Sequence, residues 1–394
     1  MSKKTVVVGV TGGIAVYKAL DVISRLKRQD IEVHVIMTKS AKEFVTPLSF
    51  QSLSQNMVIH DMFEEPKAWE IQHISLAKKA DLLLVVPATA NIIGKVANGI
   101  ADDMLSTTIM ATKAPVIFAP AMNTNMYKNP IVQRNIKELE NLGYGFIEPY
   151  SGRLACGDEG KGKLAPTDLI AETVISKLYD VKDLIGKKVL VTAGPNVEPI
   201  DPVRFVTNHS SGKMGYAIAE EARDRGAEVV LVSGPTNLPK PFGIEVIDVK
   251  TNEDMYKAVM DRFQVQDIVI KSAAVADYRI EHYSENKIKK TGDTLELKFV
   301  KNKDISLELG KIKKSQILVG FAAESENVIE NAKGKLKRKN LDFIVANNIK
   351  SDKIGFKSDF NEVTIISENE VISLDIMSKR EVAKELFNLI NKKR

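Results

Sequence analysis

Residues able to do chemistry gather in three short stretches of the first half of the chain. His73 stands in Gln72-His73-Ile74-Ser75, and Asn123 in Pro120-Ala121-Met122-Asn123-Thr124-Asn125. The chain's single cysteine, Cys156, stands in Gly152-Arg153-Leu154-Ala155-Cys156-Gly157-Asp158-Glu159-Gly160. An imidazole titrates near neutrality and can act as a base. An amide can hold a carboxylate, and a thiol in a glycine-rich polar loop is placed for reaction rather than for core packing. Taken singly, each has a plainer use: Asn123 and Asn125 as helix caps, His73 as an exposed or hydrogen-bonded ring. Upstream, Thr11-Gly12-Gly13-Ile14-Ala15 follows an apolar run and opens an amphipathic one, so its free amides and the helix dipole could hold a phosphate. It is not G-x-G-x-x-G, and a tight strand-to-helix turn is an equal reading. Thr38-Lys39-Ser40 adds hydroxyls at the equivalent level of the next strand; two such loops side by side favour a mononucleotide phosphate.

The second half carries Arg204-Phe205-Val206-Thr207-Asn208-His209-Ser210-Ser211-Gly212-Lys213-Met214-Gly215, then Ser272-Ala273-Ala274-Val275-Ala276-Asp277-Tyr278, Lys287-Ile288-Lys289-Lys290 and Gly320-Phe321-Ala322-Ala323-Glu324. Ser211-Gly212-Lys213-Met214 fails the phosphate-loop pattern at both ends, because Thr207 replaces its first glycine and Met214 its hydroxyl residue. Tyr283 and Lys287 match the Y-x-x-x-K of short-chain dehydrogenases with no dinucleotide fingerprint upstream, so chance explains the match better. The five histidines contain no H-E-x-x-H or paired motif.

These residues need a scaffold, and the hydropathy pattern supplies one. Short β-branched runs alternate with longer amphipathic stretches, the signature of βαβ units around a parallel sheet buried on both faces. The pattern predicts strands over 5–10, 32–37, 82–86 and 115–119, with helices over 14–28, 91–98, 103–111 and 130–142. After a helix ending near Leu178 it restarts, with strands over 187–193, 228–233 and 267–270 and helices over 213–225 and 253–262. Thr291-Gly292-Asp293 and Glu368-Asn369-Glu370 read as hairpin turns. The chain thus reads as two α/β domains, 1–182 and 183–394, in keeping with about 150 residues per domain. Ligands in such sheets sit beyond the carboxyl ends of the strands, where the motifs fall.

Composition narrows the classes further. One cysteine in 394 residues makes no internal disulfide and no sulfur-ligated metal site, and reduced cytosol is the expected compartment. Apolar runs of strand length exclude a membrane span of about 18 residues. Thr11-Gly12-Gly13 breaks the first apolar run too early for a signal peptide, so a soluble, cytoplasmic protein is expected. A net charge of +5 without clustered aromatics argues against nucleic acid as a partner.

His73-Ile74, Pro120-Ala121-Met122-Asn123 and Ala155-Cys156-Gly157-Asp158-x-Gly160, in that order and spacing, resemble the flavin-containing cysteine decarboxylases, specifically the phosphopantothenoylcysteine decarboxylase half of the bifunctional bacterial coenzyme A biosynthesis enzymes. The resemblance implies a flavodoxin-like domain. It also implies the chemistry: FMN oxidises the CH₂–SH of the substrate to a thioaldehyde, CO₂ leaves as a stabilised enethiolate forms, and the reduced flavin returns a hydride. On that reading His73 is the base, Asn123 holds the carboxylate and Cys156 donates the last proton. Gly12, Gly13, Ile14, Thr38, Ser40, Thr89 and Ser106 are the implied FMN contacts. Tyr127 stands where many members carry Trp.

The motifs of the second half resemble the phosphopantothenate–cysteine ligase half of the same enzymes, which implies a Rossmann-like α/β domain with appended hairpins. There the substrate carboxylate attacks the α-phosphate of CTP, releasing pyrophosphate, and the amine of cysteine displaces CMP. The resemblance implies that Lys287 stabilises phosphate charge, that Asp277 and Asp304 handle Mg²⁺ or nucleotide, and that Arg204 and Asn208 bind 4′-phosphopantothenate. Asn302, Lys303, Ile305, Phe321, Lys335 and Lys339 complete the implied CTP pocket. Members commonly read Asn-Pro-Asp-Ile where this chain has Asn302-Lys303-Asp304-Ile305. Of the basic run 333–339, Lys335 and Lys339 share one side of a helix, while Lys337 and Arg338 need not face the pocket. The implied substrates are 4′-phosphopantothenate, L-cysteine and 4′-phosphopantothenoylcysteine. The implied assembly is a homo-oligomer, up to a dodecamer, built from trimers of the flavin half and dimers of the ligase half. An oxidoreductase with two nucleotide domains, which would turn over NAD(P)H, and a flavodoxin-like electron carrier, which needs neither Cys156 nor a triphosphate site, are the rival readings.

Overall fold

The computed structural model describes residues 3–62, 71–154, 157–289, 294–324, 327–348 and 358–393. The chain divides into two compact units, Met1–Leu178 and Tyr179–Arg394.

In the first unit β1 (Thr5–Val10), β2 (Glu32–Met37), β3 (Leu82–Ala88), β4 (Val116–Pro120) and β5 (Gly145–Phe146) form one parallel sheet in the order β2-β1-β3-β4-β5. The helices are α1 (Val16–Arg28), α2 (Pro47–Ser54), α3 (Gln72–Lys79), α4 (Ala90–Ala97), α5 (Met104–Ala111), α6 (Thr124–Lys128) and α7 (Pro130–Asn141). A hairpin, β6 (Tyr150–Arg153) and β7 (Glu159–Lys163), leads into α8 (Thr167–Leu178). Successive residues of a strand point to opposite faces, so a sheet covered on both sides needs unbroken apolar strands. Val6, Val8 and Val10 accordingly pack with Ala19, Ile23, Ile170 and Val174 on one face, and Val7, Leu83 and Val85 with Ile92, Leu105 and Ile109 on the other. Each fully buried Val, Leu or Ile contributes about 1.5–3 kcal/mol, which holds the loops at the strand ends in register. This strand order is the flavodoxin-like one, with its topological switch point between β1 and β3.

In the second unit β8 (Lys188–Ala193) is followed by a short antiparallel pair, β9 (Val197–Pro199) and β10 (Phe205–Thr207). Then come α9 (Lys213–Asp224), β11 (Glu228–Ser233), β12 (Glu245–Asp248), α10 (Asn252–Phe263) and β13 (Ile268–Lys271). A second antiparallel pair, β14 (Tyr278–Ile280) and β15 (Phe299–Lys301), precedes α11 (Ile305–Ile312), β16 (Ile317–Glu324), α12 (Val328–Arg338) and β17 (Phe343–Asn348). The chain closes with the hairpin β18 (Phe360–Ile366) and β19 (Val371–Ser378), then α13 (Lys379–Lys393). The main sheet runs β12-β11-β8-β13-β16-β17-β18-β19. Its first six strands are parallel in Rossmann order, and the last two are antiparallel additions. One face packs Val189, Val191 and Leu231 against α9 and α13, the other Leu190, Val232 and Val269 against α10, α11 and α12. The switch point lies between β8 and β13.

The helix expected over 14–28 starts at Val16, because the Val16 amide bonds back to the Gly13 carbonyl at 2.9 Å and leaves Ile14 exposed in the turn. Glu368-Asn369-Glu370 does join β18 to β19; Thr291-Gly292-Asp293 lies outside the described residues. Among the described residues no helix is long and apolar enough to cross a membrane.

Candidate active sites

Four of the expected FMN contacts meet at the β1/β3 switch point. Thr11, buried at the end of β1, donates its hydroxyl to the Pro87 carbonyl at 2.7 Å and accepts from the Thr89 amide at 3.2 Å, which ties the loop after β1 to the loop after β3. A Cβ on Gly12 would fall 2.4 Å from Ser40 Cβ and 2.8 Å from the Ser40 backbone, so only glycine lets the β1 and β2 loops close on each other. A Cβ on Gly13 would meet Thr89 Cγ2 at 3.9 Å. Thr89 occupies the N-cap position of α4 without spending its hydroxyl there, and Ser40 is exposed. Thr38 caps the short helix that follows it, accepting from the Ala41 amide at 3.3 Å. Ser106 is fully buried and engaged in a capping box with Asp103 at the start of α5. The cradle of small residues, free hydroxyls and helix starts is the right chemistry for a flavin phosphate.

Asn123 is the N-cap of α6, its Oδ1 accepting from the Asn125 amide at 2.8 Å. The capping use and the functional use coexist, because its Nδ2 is left to donate to Asp158 Oδ2 at 2.8 Å. Asp158 belongs to the hairpin that carries the cysteine motif, and that hairpin lies flush against the strand-to-helix loop. The Met122 amide donates to the Gly162 carbonyl at 3.0 Å, and a Cβ on Gly162 would fall 2.3 Å from the Met122 carbonyl oxygen. Gly160 is as tightly placed, since a Cβ there would fall 2.7 Å from Thr124 Oγ1. Cys156 and Ala155 lie outside the described residues. On either side of them the Leu154 amide donates to the Asp158 carbonyl at 2.8 Å and the Gly157 amide to the Leu154 carbonyl at 3.0 Å. His73 is the second residue of α3 and half-buried; no hydrogen bond joins it to Asn123 or Asp158 among the described residues. Tyr127 lies under the Lys161 ammonium, 5.7 Å from its ring centre, and burial pushes its hydroxyl pKa up.

In the second unit the loop after β8 and the loop after β13 bond to each other at the switch point. The Ala274 amide donates to the Gly194 carbonyl at 3.0 Å, and the Ala274 carbonyl accepts Asn208 Nδ2 at 3.0 Å. Arg204 makes two bonds to Asp201 Oδ2, at 2.6 and 3.0 Å, and donates to the Ile288 carbonyl at 3.0 Å, while the Ile288 amide donates to Asp201 Oδ2 at 3.1 Å. This clamp fixes the residue after Lys287, whose own side chain is exposed. The Arg204 guanidinium beside Asp201 holds that carboxyl well below the usual carboxylate range.

Asn302 is buried, its Nδ2 donating to the Ala276 carbonyl and its amide to the Asp277 carbonyl, both at 2.8 Å. The Asp277 side chain is exposed. Lys303, at the position where proline is common, pairs with Glu253 at 3.0 Å and lies 4.4 Å above the Tyr256 ring. Asp304 caps α11, accepting from the Leu307 amide at 3.1 Å, and pairs with Lys339 at 2.9 Å. Burial pushes its carboxyl pKa up, but the Lys339 and Leu307 bonds outweigh that and hold it below the usual range. Ile305 is buried behind it, and Lys335 and Lys339 are half-buried on α12 and its cap while Lys333, Lys337 and Arg338 are exposed. Phe321, on β16, packs against the opposite face of the sheet, with α9 and α13. Among the described residues no group of three or more His, Cys, Asp or Glu is placed to hold a metal.

Sequence reasoning passed over Thr11, Asp201, Asn196 and Lys271. Asp201 had a signal, three residues before Arg204 in a turn, and so had Lys271, a charge closing the apolar run 268–270. Lys271 is buried, and among the described residues its ammonium reaches Met255 Sδ alone, at 3.8 Å. Burial pulls its ammonium down to about 7; Asp304 opposes that and Lys339 adds to it.

Residues 1–179 match the flavoprotein family, and residues 184–393 match the DNA/pantothenate metabolism flavoprotein C-terminal domain. A coenzyme A biosynthesis bifunctional protein CoaBC from Bacillus subtilis is 50% identical over 396 residues, covering 99% of this chain and 97% of that one. One from Haemophilus influenzae is 44% identical over 392 residues, covering 99% and 98%. A crystal structure of the C-terminal domain of a CoaBC protein is 45% identical, with a TM-score of 0.47, and covers 54% of this chain and 97% of that one. The chain belongs to the bifunctional coenzyme A biosynthesis proteins of the CoaBC family, a flavoprotein unit followed by a DNA/pantothenate metabolism flavoprotein C-terminal unit.

Proposed function

We propose that the second unit joins L-cysteine to 4′-phosphopantothenate at the expense of CTP and that the first unit decarboxylates the product, 4′-phosphopantothenoylcysteine, to 4′-phosphopantetheine. What supports this reading is that in each unit the loops at the switch point come together, Gly12 and Gly13 against Ser40 and Thr89 in the first and the Gly194 and Ala274 loops beside the Asp201–Arg204 clamp in the second.

In the first unit Gly12, Gly13, Thr38, Ser40 and Thr89 would hold FMN, with Ile14 beside them. When bound, FMN supplies the two-electron oxidation of the substrate CH₂–SH group and the later return of a hydride. The His73 imidazole accepts the proton released in the oxidation. Asn123 Nδ2, which already bonds a carboxylate in Asp158, donates to the substrate carboxylate and orients it for loss of CO₂. Cys156 gives its thiol proton to the carbon that becomes saturated. Cys156→Ser therefore releases CO₂ but accumulates the enethiol; normal turnover by that variant, read by CO₂ evolution against thiol product, contradicts the role.

In the second unit a carboxylate oxygen of 4′-phosphopantothenate bonds to the α-phosphorus of CTP and pyrophosphate leaves. The cysteine amine then attacks the acyl carbon, CMP leaves and the amine loses a proton. Lys287, exposed on a loop held by Arg204 and Asp201, meets the charge that develops on the phosphate. Asn208 and Arg204 border the acyl side; Asn302, Asp304 and Lys339 border the nucleotide. Mg²⁺ arrives with the triphosphate and needs only one or two carboxylates, for which Asp277 is the exposed candidate. The protein works in the cytoplasm as a homo-oligomer; a monomer in light scattering contradicts the assembly.

A further inference from the structure

Asn196 follows the Gly194-Pro195 turn at the carboxyl end of β8. It is entirely buried, and neither its Nδ2 nor its Oδ1 has a hydrogen-bond partner among the described residues. Thr124, Gln266 and Asn347 each leave a single buried atom unpaired; Asn196 leaves both ends of its amide unpaired. Its backbone is fully used, the amide donating to the Ala274 carbonyl at 3.4 Å and the carbonyl accepting Thr207 Oγ1 at 2.6 Å. The residue is therefore fixed between β10, next to Asn208, and the loop after β13, and it cannot turn its side chain out to water. Desolvating an amide without repaying its hydrogen bonds is unfavourable, and an apolar side chain of the same size would avoid the penalty. Buried polar groups left in this state in a native fold call for a partner from outside the chain.

We propose that Asn196 is a substrate-binding residue of the second unit, whose side-chain amide pairs with the amide of the pantothenate chain, Nδ2 donating to its carbonyl and Oδ1 accepting its N–H. The inference rests on ligation taking place in this unit. A carboxylate would satisfy Nδ2 and leave Oδ1 facing another acceptor, whereas an amide satisfies both. The neighbours favour the acyl substrate over the nucleotide. Asn208 bonds the same Ala274 carbonyl as Asn196 does, whereas Asp304 and Lys339 stand at α11 and α12. For the substrate to reach the amide, the Thr207–Asn196 and Asn208–Ala274 bonds that hold this segment must open.

The test uses the full chain and the variants Asn196→Leu and Asn196→Ser, the second guarding against a leucine that does not fit. The expected result is a KM for 4′-phosphopantothenate raised about tenfold or more. The KM for CTP and the decarboxylation rate should stay within about twofold, and the melting temperature of Asn196→Leu should be equal to or above that of the parent. A lower melting temperature with an unchanged KM for 4′-phosphopantothenate overturns the proposal, because the amide is then structural. A raised KM for CTP instead overturns it in favour of the nucleobase edge. Calorimetric titration of 4′-phosphopantothenate into parent and variants reads the site without turnover. Binding lost in the variants supports the proposal even if the parent ligates nothing, an outcome that would instead remove the ligase reading.

Discussion

At the β1/β3 crevice of the first unit the loops are fastened by size. Thr11 stitches two loops with one hydroxyl, Gly12 lets a third close over Ser40, and Gly160 and Gly162 let the cysteine hairpin lie on the Met122–Thr124 segment. In the second unit the loops at the end of β8 are closed just as tightly, a Cβ on Gly234 falling 1.8 Å from the Pro195 carbonyl oxygen, but charge pairs are added around them: Asp201 with Arg204, Lys303 with Glu253, and Asp304 with Lys339 where α11 meets α12. The difference matches the occupants proposed above. A flat, tightly held flavin is recognised by close backbone approach and a few hydroxyls, and a crowded site tolerates no extra atoms. A triphosphate that is cleaved and released in every cycle needs mobile cations and carboxylates that can trade partners. Both crevices are therefore sensitive to volume, and the second to charge as well.

Adding volume to the first crevice should empty it of flavin. Gly12→Val places a side chain where Ser40 already stands, and overpacking of this kind costs about 1–3 kcal/mol. Bound yellow flavin per polypeptide should fall about tenfold or more while ligation is retained, as absorbance and a nucleotide-dependent ligation assay will read. Full flavin content in the variant breaks the distinction between the two crevices.

Changing charge without volume in the second crevice should act through pH. In the unfolded chain Lys271 titrates at the ordinary lysine value of 10.5, and burial pulls it down to about 7 in the folded chain. Between those values the unfolded chain holds one proton more, so the stability of the parent rises with pH across that window. The cost of the buried ammonium is complete below about 7 and gone above about 10.5. Lys271→Met removes it, so the variant should gain stability on the order of 5 kcal/mol at pH 6.5 and nearly none at pH 10.5. Urea unfolding at the two pH values checks this; a gain that does not change with pH contradicts the buried charge.

The smallest effect belongs to the basic helix. Lys337 is exposed, unlike half-buried Lys335 and Lys339, and Lys337→Ala should leave stability within about 0.5 kcal/mol and the KM for CTP within about twofold. A larger shift in KM would extend the charged crevice around the helix.

Much of this contrast was legible in the sequence because both sheets are buried on both faces. The strands at 5–10, 32–37 and 228–233 coincide with β1, β2 and β11 residue for residue. The short polar strands did not announce themselves: half of β6 and all of β7 are glycine or charged, and they pair through backbone bonds that any sequence can make. Motif residues were legible as types, but their partners were not. Asn123 reads as a cap in the sequence; only the fold brings Asp158 to its other end. Asn196 was hidden because an asparagine in a polar turn carries no sign of burial.

The central claim, that two chemically separate sites serve consecutive reactions on one metabolite, is tested most directly by Lys287→Gln, assayed twice in the same preparation. Supplied with 4′-phosphopantothenate, cysteine and CTP, the variant should show ligation reduced at least about a hundredfold. Supplied with 4′-phosphopantothenoylcysteine, it should release CO₂ at the parent rate. Loss of both activities in a protein that keeps its flavin and its melting temperature would contradict the account.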